Sequence, residues 1–179
     1  MKTRNNVKAL VLASLLLALA IILQLVQRNF TQINPLLIGP LINTTILLTT
    51  YFCGLTYGLM ISVLIPVLAI PTGALAAPLI PFSPFIVVAN LIYAASFYPL
   101  MKKGKFGIYI GALLSSVLRF LFFALSAMKL LYVFIPDVSK KSAQLIGACF
   151  TTPQLLIALL GSAVAIIVIK LLRKRKITV

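Results

Sequence analysis

A single carboxylate, Asp137, is all the acid in this 179-residue chain, which has no glutamate and no histidine. Paired-carboxylate catalysis and imidazole acid–base chemistry therefore have no residues to run on. No carboxylate falls inside a long apolar block, so the usual coupling group of a proton- or sodium-driven carrier is missing. There is no GxxxxGK[ST] loop, and active transport by this chain would have to be powered by a partner. Cys53 and Cys149 each stand alone in apolar surroundings. They build neither a disulfide framework nor a metal-ligand spacing, and each reads as a buried, inert thiol. No catalytic residue, metal or cofactor is expected. Ser–Lys catalysis has its residue types here but no motif.

Apolar residues are abundant instead: 62% of the chain, with a mean hydropathy of +1.17. Soluble domains run at about 45–50% apolar, and no compact core hides this excess from water. The apolar residues come in blocks, and at about 20 residues per crossing the chain has room for about six. The expected fold is therefore an all-α membrane protein, one domain over residues 1–179, with about six transmembrane helices in one bundle. The first span is read as Val7 to Val26, ending at Gln27-Arg28-Asn29. Asn34-Pro35 and Gly39-Pro40 disfavour a continuous helix, so the second span is expected to begin near Leu41. Gly54 and Gly58 mark the turn into a third span that reaches Ile70. An uncharged, proline-rich stretch follows, with Pro66, Pro71, Pro78, Pro81 and Pro84. Non-helical backbone at membrane depth must be buried in protein or face a cavity, so 71–83 is expected to be a stiff, partly inserted loop packed on the bundle. The fourth span covers Pro84 to Met101, the fifth Phe106 to Leu131, and the sixth Ser142 to Leu172. The first block is too long for a cleavable signal peptide and lacks a small-residue cleavage site.

The 16 Lys+Arg residues give a net charge of +15. They cluster at the ends of apolar blocks, which is the pattern of membrane topology and not of nucleic-acid binding. An even number of spans puts Lys2, Arg4, Lys8, Lys102, Lys103, Lys105, Lys170, Arg173, Lys174, Arg175 and Lys176 on one side. Only Arg28, Lys129, Lys140 and Lys141 fall on the other. Both termini are expected in the cytoplasm, with the terminal basic run anchoring that end against anionic lipid.

Arg119 is the most informative residue. It lies about 14 residues beyond Lys105, roughly 20 Å into the bilayer. A charge at that depth costs at least about 2.5–3.5 kcal/mol and normally faces a cavity or a partner. No acidic residue in any span pairs with it. Either it snorkels or bonds to backbone carbonyls, or it awaits an anion; a guanidinium suits a carboxylate or phosphate through two parallel hydrogen bonds. Asn90 and Gln154 fall at a similar depth from the outer side, Gln154 beside Thr151, Thr152 and a kinking Pro153. Asn43 and Thr44 open the second span from the same side. Ser115 and Ser116 lie one turn before Arg119 and share its face. Each polar group alone serves equally as an interhelical hydrogen bond. Their convergence in the outer half suggests a pocket open to the exterior, walled by aromatics such as Tyr93, Phe122, Phe123, Tyr132 and Phe134. Ala9 and Ala13, continued by Ala20, form a stripe of small residues that lets another helix approach closely, either within the bundle or from a partner.

Size, about six spans, inside termini and an acid-poor, basic composition resemble the substrate-binding subunits (S components) of energy-coupling factor vitamin transporters. The likeness rests on Ala9-Leu-Val-Leu-Ala13, which is similar to that family's AxxxA motif. It rests also on Gly39-Pro40-Leu41-Ile42-Asn43 through Gly54-Leu-Thr-Tyr-Gly58. The resemblance implies a membrane subunit that captures a vitamin or precursor in an outward-facing pocket covered by loops around 28–40 and 71–83. It implies a transmembrane coupling subunit and two ATPase subunits as partners, docked through Ala9 and Ala13, with the S component toppling in the membrane during transport. Asn43, Asn90, Tyr93, Arg119 and Gln154 are the candidate substrate contacts. They favour an anionic cargo such as pantothenate, folate, nicotinate or lipoate over riboflavin or thiamine. Two other classes are open: a non-transport scaffold with a structural Arg119, and a membrane enzyme with Arg119 and Lys129 holding a phosphate, which the lack of His and Glu disfavours.

Overall fold

The computed structural model describes residues 2–29, 35–103, 106–127, 147, 150 and 152–174. Among these residues it is all-helical, with six α-helices: α1 (Lys2–Asn29), α2 (Pro35–Phe52), α3 (Leu55–Ala69), α4 (Ser83–Met101), α5 (Gly107–Leu125) and α6 (Thr152–Lys174). A 3-10 helix, Ala77–Phe82, leads into α4. Four segments are long and apolar enough to cross a membrane: Asn6–Asn29, Ala77–Met101, Gly107–Leu125 and Pro153–Lys174. Leu37–Phe52 and Leu55–Ala69 are apolar but shorter. The described residues thus hold six apolar helices, four of them of spanning length, against an expectation of about six transmembrane helices.

The exposure pattern is inverted relative to a soluble protein. Along α5, Ile110, Leu113, Leu114, Leu118, Leu121 and Leu125 face outward, while Gly111, Ala112, Ser115, Ser116 and Arg119 face in. Leu10, Val11, Leu15, Leu19 and Ile22 do the same on α1. Small and polar residues against the bundle with large aliphatics outside is the arrangement that a hydrocarbon solvent selects. The chain is a multi-pass membrane protein.

Helix α2 is the centre of the bundle, packing against α1, α3, α4 and α6. Every residue from Asn43 to Thr50 is buried. Four of these are threonines, whose hydroxyls are satisfied by nearby carbonyls: Thr45 donates to Ile42 O at 2.7 Å, Thr49 to Thr45 O at 2.8 Å and Thr50 to Ile46 O at 2.8 Å. Thr44 Oγ1 lies 2.8 Å from Pro40 O and 2.9 Å from Gly161 O, one hydroxyl shared between α2 and α6. Such bonding lets polar side chains stay in a region without water. Small residues set the spacing. A Cβ at Gly161 would come within 2.7 Å of Pro40 O, and one at Gly39 within 2.9 Å of Ile157 Cγ2, so both glycines are what brings α6 onto α2.

Two expectations need correction. Helix α2 begins at Pro35 and not near Leu41, and Pro40 lies inside it. Proline is tolerated at the first helical position because that N–H has no helical partner, and the carbonyl that Pro40 leaves free, that of Leu36, belongs to the first turn. Gly58 is not in the turn: Gly54 (φ 93°) makes it, and Gly58 sits within α3 against Thr50. Pro153 is the second described residue of α6. The stretch 71–83 is partly regular, its Phe82 fully buried against Phe85, Phe123 and Phe150 at centroid distances of 5.1, 6.2 and 4.7 Å. Lys105, Lys129, Tyr132, Phe134, Asp137, Lys140, Lys141, Cys149, Thr151, Arg175 and Lys176 lie outside the described residues.

Candidate functional site

The C-terminal ends of α1, α3 and α5 and the N-terminal ends of α2, α4 and α6 meet at one end of the bundle, opposite the start of α1 and the end of α6. There they enclose a cavity of about 180 Å³. Its wall takes Gln24 and Gln27 from α1, Asn43 from α2, Pro66 from α3, Asn90 from α4 and Arg119 from α5. Gln154 and Ile157 of α6, Phe150, and Ala74 and Leu75 of the 70–76 turn complete it.

Four of the five candidate contacts therefore share one wall: Asn43, Asn90, Arg119 and Gln154. Arg119 is 6% exposed, with its guanidinium carbon 5.1 Å from the Tyr93 ring centroid and 5.4 Å from that of Phe123. Its Nε and Nη1 are buried without an acceptor. The two aromatic faces hold the cation in place, since a ring's quadrupole attracts a desolvated guanidinium. They do not satisfy its N–H groups. Asn43 Nδ2 is a second unpaired donor at the cavity, and Gln24 Oε1, Asn90 Oδ1 and Gln154 Oε1 are unpaired acceptors. Buried polar groups are normally bonded, so a group of five residues on one wall with open valences points to a ligand.

Tyr93 is placed differently from the expectation. It is fully buried and is not part of the cavity wall. Its hydroxyl donates to Ala158 O at 3.2 Å and shares a 2.8 Å hydrogen bond with Ser162 Oγ, which in turn lies 2.8 Å from Ser116 Oγ. This chain ties α4, α5 and α6 together beneath Arg119, and it absorbs Ser116. Ser115 donates to Ala112 O at 3.1 Å. Of the expected aromatic wall, Phe122 and Phe123 lie off the cavity too; the ring on the wall is that of Phe150.

Gln24 and Gln27 line the cavity without having been among the residues expected there. In sequence Gln24 reads as the tail of an apolar span, although a glutamine four residues before Arg28 is a legible polar signal. Its Nε2 donates to Ile65 O at 3.1 Å. Arg28, at the rim, donates from Nη1 to Thr72 O, and Gly73 (φ 68°) turns the chain beside that guanidinium. The small-residue stripe of α1 is turned inward: Ala13 is 5% exposed, Ala20 is fully buried, and both belong to the internal core, while Ala9 is half-buried. Cys53, in the α2–α3 turn, is a free thiol whose pKa burial pushes up, which keeps it protonated and unreactive.

Among the described residues no cluster of His, Cys, Asp or Glu could hold a metal ion. The sequence matches the family described as ECF transporter, substrate-specific component, over residues 8–173. No curated protein and no solved structure matches the chain.

Proposed function

The chain belongs to the substrate-specific components of ECF transporters, and from that premise we propose that it captures a small anionic vitamin or vitamin precursor in the cavity around Arg119. Members of this family are substrate-binding subunits of transporters, not enzymes, and they work with a membrane coupling subunit and two ATPases. The observation that carries the anionic reading is the state of Arg119: buried, flanked by two aromatic rings, and with Nε and Nη1 unbonded. The described residues offer it no carboxylate, so its counterion is supplied by the cargo. Asn43 Nδ2, on the same wall, adds a neutral donor for the same anionic end.

The membrane topology follows from the basic residues. Six crossings with both termini in the cytoplasm place Lys102, Lys103, Lys170, Arg173 and Lys174 inside, and the cavity then opens outward. Helices α2 and α3 fall short of a full crossing at about 1.5 Å per residue, and the 70–82 segment completes the outer layer above α3. Docking of the coupling subunit is assigned to α1, which is the least buried of the four long helices. Ala13 is engaged inside the bundle, so within the Ala9/Ala13 pair the accessible part is the Ala9 side, flanked by exposed Val7, Leu10 and Val11.

The test is a thermal-shift measurement on the purified chain in detergent against water-soluble vitamins and their precursors. Ligand that binds only the folded state adds about 2.7 kcal/mol of stability at a hundredfold excess over its dissociation constant. The expected result is a strong shift from a carboxylate-bearing compound, lost in Arg119→Gln. Tight binding of an uncharged compound that survives that substitution would sink the reading.

A further inference from the structure

Proline in the middle of a helix removes an N–H and so leaves the carbonyl four residues earlier without its donor. In α3 that proline is Pro66, and the carbonyl it frees is that of Ser62. Asn90, across the α3–α4 contact, donates its Nδ2 to this carbonyl at 3.3 Å. One turn on in the same helix, Gln24 of α1 donates its Nε2 to Ile65 O at 3.1 Å. A backbone carbonyl accepts only from the NH2 side of a primary amide, so both amides are held in one of their two flips. Their oxygens, Asn90 Oδ1 and Gln24 Oε1, are left buried and unpaired in residues that line the cavity. Asn90 is 3% exposed and Gln24 6%. Gln154 Oε1 adds a third open acceptor from α6.

The wall is therefore divided by sign. Arg119 offers donors to an anion, with Asn43 Nδ2 beside it, whereas Gln24 and Asn90, each pinned by a backbone carbonyl, offer acceptors and ask for donors. We propose that the cargo is a compact carboxylate bearing hydroxyl or amide N–H donors, which the amide oxygens fixed by α3 select over carboxylates that have none. This rests on the anionic reading of Arg119 and names the substrate class within it. A donor-free carboxylate would neutralise Arg119 but bury the two fixed acceptors without partners, and a site built around such groups discriminates strongly against a ligand that leaves them unpaired. The cavity measures about 180 Å³ and is open on one side. Of the smaller carboxylates named above, pantothenate carries hydroxyls and an amide N–H, while nicotinate and lipoate carry no donor besides the acid group.

The test uses isothermal titration of the full chain in detergent with pantothenate, nicotinate and lipoate as probes, with monodispersity and helical content checked for every variant. Pantothenate is expected to bind at least about tenfold more tightly than either donor-free acid. Asn90→Leu and Gln24→Leu should each reduce that preference by about tenfold, by weakening pantothenate and by relieving the donor-free acids of a buried unpaired acceptor. Pro66→Ala keeps every side-chain amide and restores an N–H for Ser62 O; it loosens the hold on the Asn90 amide and should erode the preference in the same direction, and because Pro66 also lines the cavity it is read beside Asn90→Leu. If nicotinate or lipoate binds as tightly as pantothenate and Arg119→Gln abolishes both, the inference is overturned and the anionic reading stands. If an uncharged vitamin binds and Arg119→Gln is without effect, both are overturned. If pantothenate fails to bind a folded sample while a donor-free acid succeeds, the inference again fails alone.

Discussion

The guanidinium of Arg119 stands 5.1 Å from the ring centroid of Tyr93, inside a bundle whose described residues contain no carboxylate at all. The pair sets a test of why the arginine is there. Cation–π attraction to a desolvated cation is worth about 2 kcal/mol, less than the several kcal/mol that burying an unpaired ion takes away. Arg119→Met should therefore leave the melting temperature of the ligand-free protein unchanged or raise it, by up to about 4 kcal/mol in stability. The same substitution should weaken carboxylate binding by about 2–5 kcal/mol. A large loss of stability without ligand would make Arg119 a structural residue and favour the scaffold reading.

Tyr93 separates support from contact. Its ring faces Arg119, but its hydroxyl is consumed by Ala158 O and Ser162. Tyr93→Phe keeps the ring and deletes the hydroxyl, so it should cost about 1 kcal/mol of stability and change ligand affinity less than about threefold. Tyr93→Leu removes the face behind the guanidinium and should weaken binding by about tenfold. Thermal denaturation and titration of the two variants side by side read both effects. A Tyr93→Phe variant that lost binding outright would put the hydroxyl in contact with the cargo.

Much of this site is legible in the sequence, because depth along a helix can be counted. Asn43, Asn90 and Gln154 fall in the N-terminal halves of their helices and Arg119 in the C-terminal half of α5, and in an antiparallel bundle that is enough to bring them to one end. What counting cannot supply is the facing of each helix about its own axis. Tyr93 follows Asn90 by one turn on nearly the same face, which suggests the cavity, yet that turn carries its hydroxyl past the cavity to Ala158 and Ser162 of α6. The alanine stripe of α1 announces a close approach without saying from which side, and Ala13 and Ala20 meet the chain's own core. Pro40 reads as a helix breaker because helix rules are learned in water. It lies only five residues into α2, where the carbonyl it frees belongs to the first turn, and it is accommodated there. The Pro66–Ser62–Asn90 relation needs both the helix and its neighbour.

Gly58 is held to glycine by the packing of α3 on α2. A Cβ there would lie 3.0 Å from Thr50 Cβ and 3.1 Å from Thr50 Cα, and the latter is backbone that cannot swing away. Overpacking of this kind costs about 1–3 kcal/mol. Gly58→Ala should lower the thermal midpoint accordingly, and adding Thr50→Ala should recover only part of it, since the crowding against the α2 backbone remains. Full recovery in the double variant would show that the hydroxyl alone sets the spacing.

At the cavity rim, the turn after α3 is held by one long side chain. Arg28 donates from Nη1 to Thr72 O, and the next residue, Gly73, takes a φ of 68° that side chains other than glycine's rarely adopt. A Cβ at Gly73 would also meet Arg28 Cζ at 2.9 Å. Ala74 and Leu75 follow immediately and line the cavity, so the position of the wall on this side depends on that clamp. Arg28→Ala removes the donor without adding bulk; Gly73→Val adds both strain and a clash. Both should release Ala74 and Leu75 from the wall, and the effect belongs to retention of ligand, not to the polar contacts deeper in. Dissociation should therefore quicken, by about tenfold for Arg28→Ala if one charge-assisted hydrogen bond is lost and by more for Gly73→Val. Association should change much less, because affinity differences among variants of one site fall mostly on dissociation. Stopped-flow measurement of ligand release from the two variants separates the rates. Unaltered release from both would mean that the 70–76 turn is a passive wall, and that the deeper residues alone retain the cargo.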